Sequence, residues 1–224
     1  MENAKPSVVL VTGAGRGAGR LVADAFASDG AIVALNDIAP NNLDAMLRQH
    51  QERGHTVKAY VGDVAKKLSA QALINQVLDD WGRIDVLINH AVVEPASPLL
   101  EMDEWDWHRT MDVNLTGAFL MMQSVGRVMQ SQGGGVIINL ISLSGRTGAL
   151  NRSAYVASQM GILGLTRQAS RELYRDGVRV HAVGEGITRF QNAETTVPRD
   201  LTRAVLFLAS PRAAHLSGII VDTG

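Results

Sequence analysis

The sequence predicts a doubly wound α/β domain, and three observations carry that expectation. Short apolar runs rich in Val and Ile recur along the chain, amphipathic helical stretches separate them, and the links between are brief. Buried strands of that kind with intervening helices belong to a parallel sheet covered on both faces. At 224 residues the chain fits one large domain with a substantial core. The expected architecture is therefore a single domain over 1–224, built on a seven-stranded parallel sheet.

The elements follow in order. SVVLVT, from Ser7 to Thr12, is a β-branched run that ends in a glycine cluster. LVADAFASDG has apolar residues at helical spacing and closes on Gly30, a stop signal. AIVALN, from Ala31 to Asn36, reads as the second strand, and Asn41 to Arg53 as the second helix. HTVKAYV, RIDVLIN, GGVIINLIS, VRVHAV and SGIIVD supply the remaining strands. Helices are expected between them at about 66–81, 104–131, 151–176 and 198–209. No linker, low-complexity tract or internal repeat divides the chain.

Composition excludes several functions. The formal net charge is −1 and no basic stripe is interleaved with aromatics, which argues against nucleic acid or a membrane surface as partner. The absence of cysteine removes thiolate metal sites and thiol nucleophiles. Histidines at 50, 55, 90, 108, 181 and 215 show no metal-ligand spacing, so no metal is expected. The N-terminus lacks the shape of a signal peptide, and no apolar run approaches the ~20 residues that span a bilayer, so a cytoplasmic location is expected.

The stretch TGAGRGAGR sets Gly13, Gly15, Gly17 and Gly19 between the first strand and the first helix. Glycines there let the backbone turn and approach a pyrophosphate, while the helix N-terminus presents free N–H groups and a positive dipole end. The second strand ends at Asp37. A carboxylate there accepts hydrogen bonds from both adenosine ribose hydroxyls and repels a 2′-phosphate, which favours NAD over NADP. Arg16, inside the loop, pulls the other way, since a guanidinium pairs with phosphate.

With those residues in place, the chain from Ser7 to Gly224 resembles the short-chain dehydrogenase/reductase family, whose fold is of the Rossmann type. Thr12, Gly13, Gly17 and Gly19 match its glycine loop, and Asp63 and Val64 match the pair that flanks adenine. Asn89 and Ala91 match its strand-four motif, Asn114 its helix asparagine, and Ser142 and Tyr155 its serine and tyrosine, thirteen residues apart. Gly186 and Thr188 stand where the family closes the cofactor wall after strand six. The resemblance implies hydride transfer between nicotinamide and a carbonyl or alcohol carbon. By the same resemblance Tyr155 exchanges the hydroxyl proton, Ser142 holds the substrate oxygen, and Asn114 holds a water of the proton relay. It also implies a homodimer or homotetramer, built on the apolar helices at about 104–131 and 151–176.

Four departures cluster at the reacting end. The family's Tyr-x-x-x-Lys reads here as Tyr155 and Gln159. Spacing i, i+4 keeps both on one helix face, so glutamine can still reach the nicotinamide ribose but brings no charge. A unit charge ~5 Å from the phenol, at an effective dielectric of ~20, is worth about 3 kcal/mol, or roughly two pKa units. Without it Tyr155 is expected near the free value of about 10. That suits a general acid better than a general base. Arg152 and Arg167 are the candidate replacement cations. The family's Asn-Asn-Ala-Gly reads Asn89, His90, Ala91, Val92, and its Asn-x-x-x-Pro-Gly ends here in Glu185 and Gly186. The substrate-loop region, about 187–200, is short. Two readings stand: an NAD-preferring oxidoreductase with altered or weakened catalysis, or an inactive dinucleotide-binding or interaction subunit of a related oligomer.

Overall fold

The computed structural model describes residues 6–146, 148–185 and 199–223. Among them lie strands β1 (Val8–Thr12), β2 (Ile32–Asp37), β3 (Val57–Val61), β4 (Val86–Asn89), β5 (Gly135–Ser142), β6 (Val178–Glu185) and β7 (Ile220–Asp222). The helices are α1 (Gly17–Ser28), α2 (Pro40–Glu52), α3 (Lys67–Trp81), α4 (Glu104–Thr110), α5 (Gly117–Gln132), α6 (Ser153–Glu172) and α7 (Arg199–Ala209). One seven-stranded sheet forms in the order β3-β2-β1-β4-β5-β6-β7, with every pairing parallel. The expected fold class is thus observed.

Alternation explains why two layers of helix are needed. Along β1, Val8 and Leu10 join one core while Val9 and Val11 join the other. On the first face α3, α5 and α6 pack through Ile74, Val77, Met121, Val125, Ile162 and Leu163. On the second, α1, α2 and α7 pack through Val22, Phe26, Leu43, Met46, Val205 and Leu208. A strand apolar on both faces cannot be left half-covered, since each buried side chain of this size contributes about 2 kcal/mol. Chain order reverses between β1 and β4, which opens a crevice at the carboxyl ends of those strands.

The boundaries differ from expectation in instructive places. The helix expected over 104–131 is two helices joined by a π-helical turn at Met111–Thr116. Apolar periodicity runs through that turn unbroken, so spacing alone does not reveal it. The helix expected over 151–176 runs only from Ser153 to Glu172, followed by a 3-10 turn at Tyr174–Asp176. Asn151, just before it, sits at φ 59, a left-handed conformation that asparagine tolerates. The last strand is shorter than SGIIVD, beginning at Ile220. No helix among the described residues is long and apolar enough to cross a membrane.

Candidate active site

The glycine loop is shaped by close approach. Gly13 has φ +64, and a methyl group on it would lie 2.8 Å from the Ala91 Cα, so the loop and the exit of β4 touch through bare backbone. Thr12 holds them together: its hydroxyl accepts the N–H groups of His90 at 3.0 Å and Ala91 at 3.2 Å. Thr12 is 1% exposed, so it braces the loop rather than lining the crevice. Arg16 caps α1 without a side-chain bond, so no side chain takes the N–H groups of the first turn. Gly19 leaves room for the loop and for His90, because a methyl there would meet Gly13 O and His90 Cδ2 at 2.5 Å each.

Asp37 ends β2 nearly buried, at 7% exposure. Its Oδ2 accepts the Gly15 N–H at 3.1 Å and its Oδ1 accepts the Ala39 N–H at 2.9 Å. Each oxygen keeps a lone pair for a further donor. Asp63 Oδ1 accepts the Ala65 N–H at 2.9 Å, which fixes the turn carrying Val64. A cavity of about 530 Å³ runs between these groups, with Gly13, Arg16, Asp37, Val64 and Ala91 on its walls. Trp105 and Arg109 of α4 form its outer rim, the guanidinium 5.1 Å from the Trp105 ring. The volume and the donor set fit the adenosine diphosphate half of a dinucleotide.

Asn89 is turned away from that cavity. Its Nδ2 donates to Asn139 Oδ1 at 2.8 Å, and Asn139 donates in turn to Thr166 at 2.9 Å, forming a buried polar ladder across β4, β5 and α6. The Asn89 Oδ1 is buried without a partner. It borders a small space of about 10 Å³ that Asn114 and Gln159 also line. The π-helical turn places Asn114, 1% exposed, with its amide on the loop after β4. Its Oδ1 accepts the Val93 N–H, and its Nδ2 donates to the Val93 carbonyl, each at 2.9 Å. The second Nδ2 hydrogen goes to Ser158 Oγ at 3.0 Å. Both Nδ2 hydrogens are therefore committed to protein.

Gln159 is 3% exposed, and its Oε1 accepts the Ser142 backbone N–H at 2.8 Å. The expected alignment with Tyr155 along one helix face holds, but the carboxamide oxygen ties α6 to the end of β5. Ser142 Oγ accepts the Ser144 N–H at 3.2 Å, and the same hydroxyl acts on Tyr155, favouring its ionised form. Tyr155 has its pKa pushed up to about 12, above the value near 10 expected from losing a lysine. Burial raises it most and the Glu94 carboxylate adds to the rise, while the Ser142 hydroxyl and the Arg152 guanidinium oppose them. Arg152 donates to the Glu94 carbonyl and lies 3.8 Å from its carboxylate. Of the two expected replacement cations, only Arg152 acts on the tyrosine; Arg167 lines a separate surface cleft with Arg171 and His215.

Glu94 is the residue that sequence reading missed. Its only signal is position, five residues beyond Asn89 in the loop that leaves β4. That loop is clamped by Asn114 at Val93, by Arg152 at Glu94, and by the Ser97 N–H on the Asn151 carbonyl at 2.9 Å. Val92 borders the main cavity beside Ala91. Gly186 and Thr188 lie outside the described residues, as do the Glu185 side chain and most of the short loop at 187–200. Among the described residues no group of His, Asp and Glu is arranged to hold a metal.

A family profile described as short chain dehydrogenase matches residues 7–200. The chain belongs to that family. It is 32% identical to the D-threitol dehydrogenase of Mycolicibacterium smegmatis, over 97% of this chain and 92% of that one. It is 31% identical to a 3-oxoacyl-acyl-carrier-protein reductase of Thermotoga maritima, over 96% and 94%. A crystal structure of a short chain dehydrogenase from Mycobacterium smegmatis superposes with a TM-score of 0.91 at 32% identity, covering 98% of this chain and 92% of the other. The chain is accordingly a nicotinamide-dependent short-chain oxidoreductase in class.

Proposed function

We propose that this short-chain dehydrogenase is an NAD-preferring carbonyl reductase in which Tyr155 is the proton donor. The observation that carries the reading is the setting of Tyr155, on the helix that Gln159 ties to Ser142, where burial and Glu94 keep the phenol protonated with a pKa of about 12. Bound cofactor supplies the hydride. Ser142 orients the carbonyl oxygen, and Tyr155 delivers its proton to that oxygen as charge develops there. Gln159 anchors Ser142 through its backbone N–H and brings no charge, and Arg152 does not offset the burial and Glu94 that keep the phenol protonated. Oxidation is therefore the weaker direction, because it starts from a tyrosinate.

Preference for NAD rests on Asp37. A 2′-phosphate would bring two negative charges beside a carboxylate that is almost out of water, where repulsion is poorly screened. Arg16, exposed on the cavity wall, offsets only part of that repulsion. The protein is further proposed to assemble as a homodimer or homotetramer through α5 and α6. Phe119 on α5 is 42% exposed and Trp107 of α4 is 37% exposed, apolar surface that a second copy would cover. The location is proposed to be cytoplasmic.

The test is NADH oxidation against a panel of ketones and aldehydes, with Gln159→Lys alongside. Carbonyl-dependent turnover is expected from the unaltered protein, faster with NADH than NADPH. If neither protein turns over any carbonyl while both bind NADH, the catalytic reading fails and the chain is a binding subunit.

A further inference from the structure

His90 stands where the family's strand-four motif carries asparagine, and the structure gives that exchange a specific setting. Thr12 fixes its backbone N–H at 3.0 Å, so the ring's starting point is rigid. The ring lies along the first turn of α1: a methyl group on Gly19 would meet its Cδ2 at 2.5 Å, and one on Gly17 would meet its Nε2 at 3.6 Å. This is the turn whose N–H groups carry no cap. The ring also borders the 530 Å³ cavity together with Arg16 and Asp37. An imidazole nitrogen is thereby aimed at the place where the helix dipole and free N–H groups gather negative charge.

We propose that His90 is a ligand of the cofactor diphosphate in this chain, donating from its ring to a phosphate oxygen and taking up one proton from solvent as the dinucleotide binds. The inference rests on the reading of this crevice as the dinucleotide site. Charge balance supports it. Without a phosphate, burial and the Arg16 guanidinium hold the ring neutral, with a pKa of about 4, and Asp37 opposes them. Asp63, Lys66, His108, Arg109 and Asp112 stand on the cavity's other walls and are present with or without ligand. The diphosphate adds the new charge, two negative oxygens beside the ring, and drives protonation upward. His181 provides an internal contrast. Burial and Arg179 hold it to the same low value, but its ring is fully enclosed under α7, with both nitrogens unpartnered and no anion to stabilise a charge.

Calorimetry with ADP-ribose, NADH and adenosine, in buffers of different ionisation enthalpy between pH 6 and 8, reads the proton directly. ADP-ribose is chosen because its diphosphate has no group that titrates in this range. The two diphosphate ligands are expected to take up a proton fraction that rises as pH falls, and adenosine none. Their affinity tightens by up to roughly tenfold per pH unit through the bound-state pKa of His90. His90→Asn and His90→Gln are expected to bind NADH with a flat pH profile and no uptake. Binding of ADP-ribose to the unaltered protein without proton uptake overturns the proposal, and that count depends on no variant. Uptake that persists in both variants also overturns it and assigns the proton elsewhere, with His108 the other histidine on the cavity wall. Failure of NADH and ADP-ribose to bind at any pH removes the dinucleotide reading itself, together with this inference.

Discussion

The two ends of the crevice use their polar side chains in opposite directions. At the proposed adenosine end, Asp37 keeps acceptor capacity turned toward a cavity, and the first turn of α1 carries no side-chain cap. At the reacting end, Asn114, Gln159 and Asn89 spend most of theirs on the protein, on Val93, Ser142 and Asn139. The first arrangement binds whatever fits. The second builds a rigid frame around two hydroxyls, those of Ser142 and Tyr155. Glutamine in place of lysine thus does more than lack a charge, because its carboxamide accepts the backbone N–H of the very serine proposed to orient substrate.

The sharpest way to break this contrast is at the proposed proton donor of the reacting end. Tyr155→Phe removes the proton donor and is expected to cut carbonyl reduction by about 10³-fold, within the range for lost general-acid catalysis. NADH affinity should change by less than about tenfold, as a fluorescence titration would read. A comparable loss of NADH binding would mean that the tyrosine is part of the frame. Asn114→Ala tests the frame itself. It strands the half-buried Val93 N–H and carbonyl and should cost about 2 kcal/mol of stability, measured from the urea midpoint. Little change would show that the loop after β4 holds itself. Asp37→Asn probes the adenosine end and has the smallest effect. The NADH over NADPH preference in KM should fall by about tenfold, which corresponds to about 1.4 kcal/mol of removed repulsion. An unchanged ratio would place cofactor choice with Arg16.

Much of the fold was legible in the sequence, because strands apolar on both faces separated by amphipathic helices leave few alternatives to a covered parallel sheet. The glycine loop was readable for a related reason: close approach of Gly13 to Ala91 tolerates no side chain. What escaped was orientation. Spacing puts Gln159 on the Tyr155 face but does not say which amide atom meets which partner. The π-helical turn that aims Asn114 at Val93 leaves the apolar period untouched, so nothing in the pattern marks it. Glu94 belongs to no motif, and its influence on Tyr155 arises from a loop path set by three separate clamps. The value near 10 expected for the phenol counted a missing cation and could not count burial or that carboxylate.

The central claim is that the site keeps Tyr155 protonated, and the pH dependence of the two reaction directions tests it most directly. With a pKa of about 12, the tyrosinate fraction grows about tenfold per pH unit across the working range. The kcat for alcohol oxidation with NAD should therefore climb with a slope near one from pH 7 to 10 without levelling, while kcat for carbonyl reduction stays flat. An oxidation profile that levels off by about pH 8 would show a tyrosinate stabilised as if a lysine were still present, and would contradict the account.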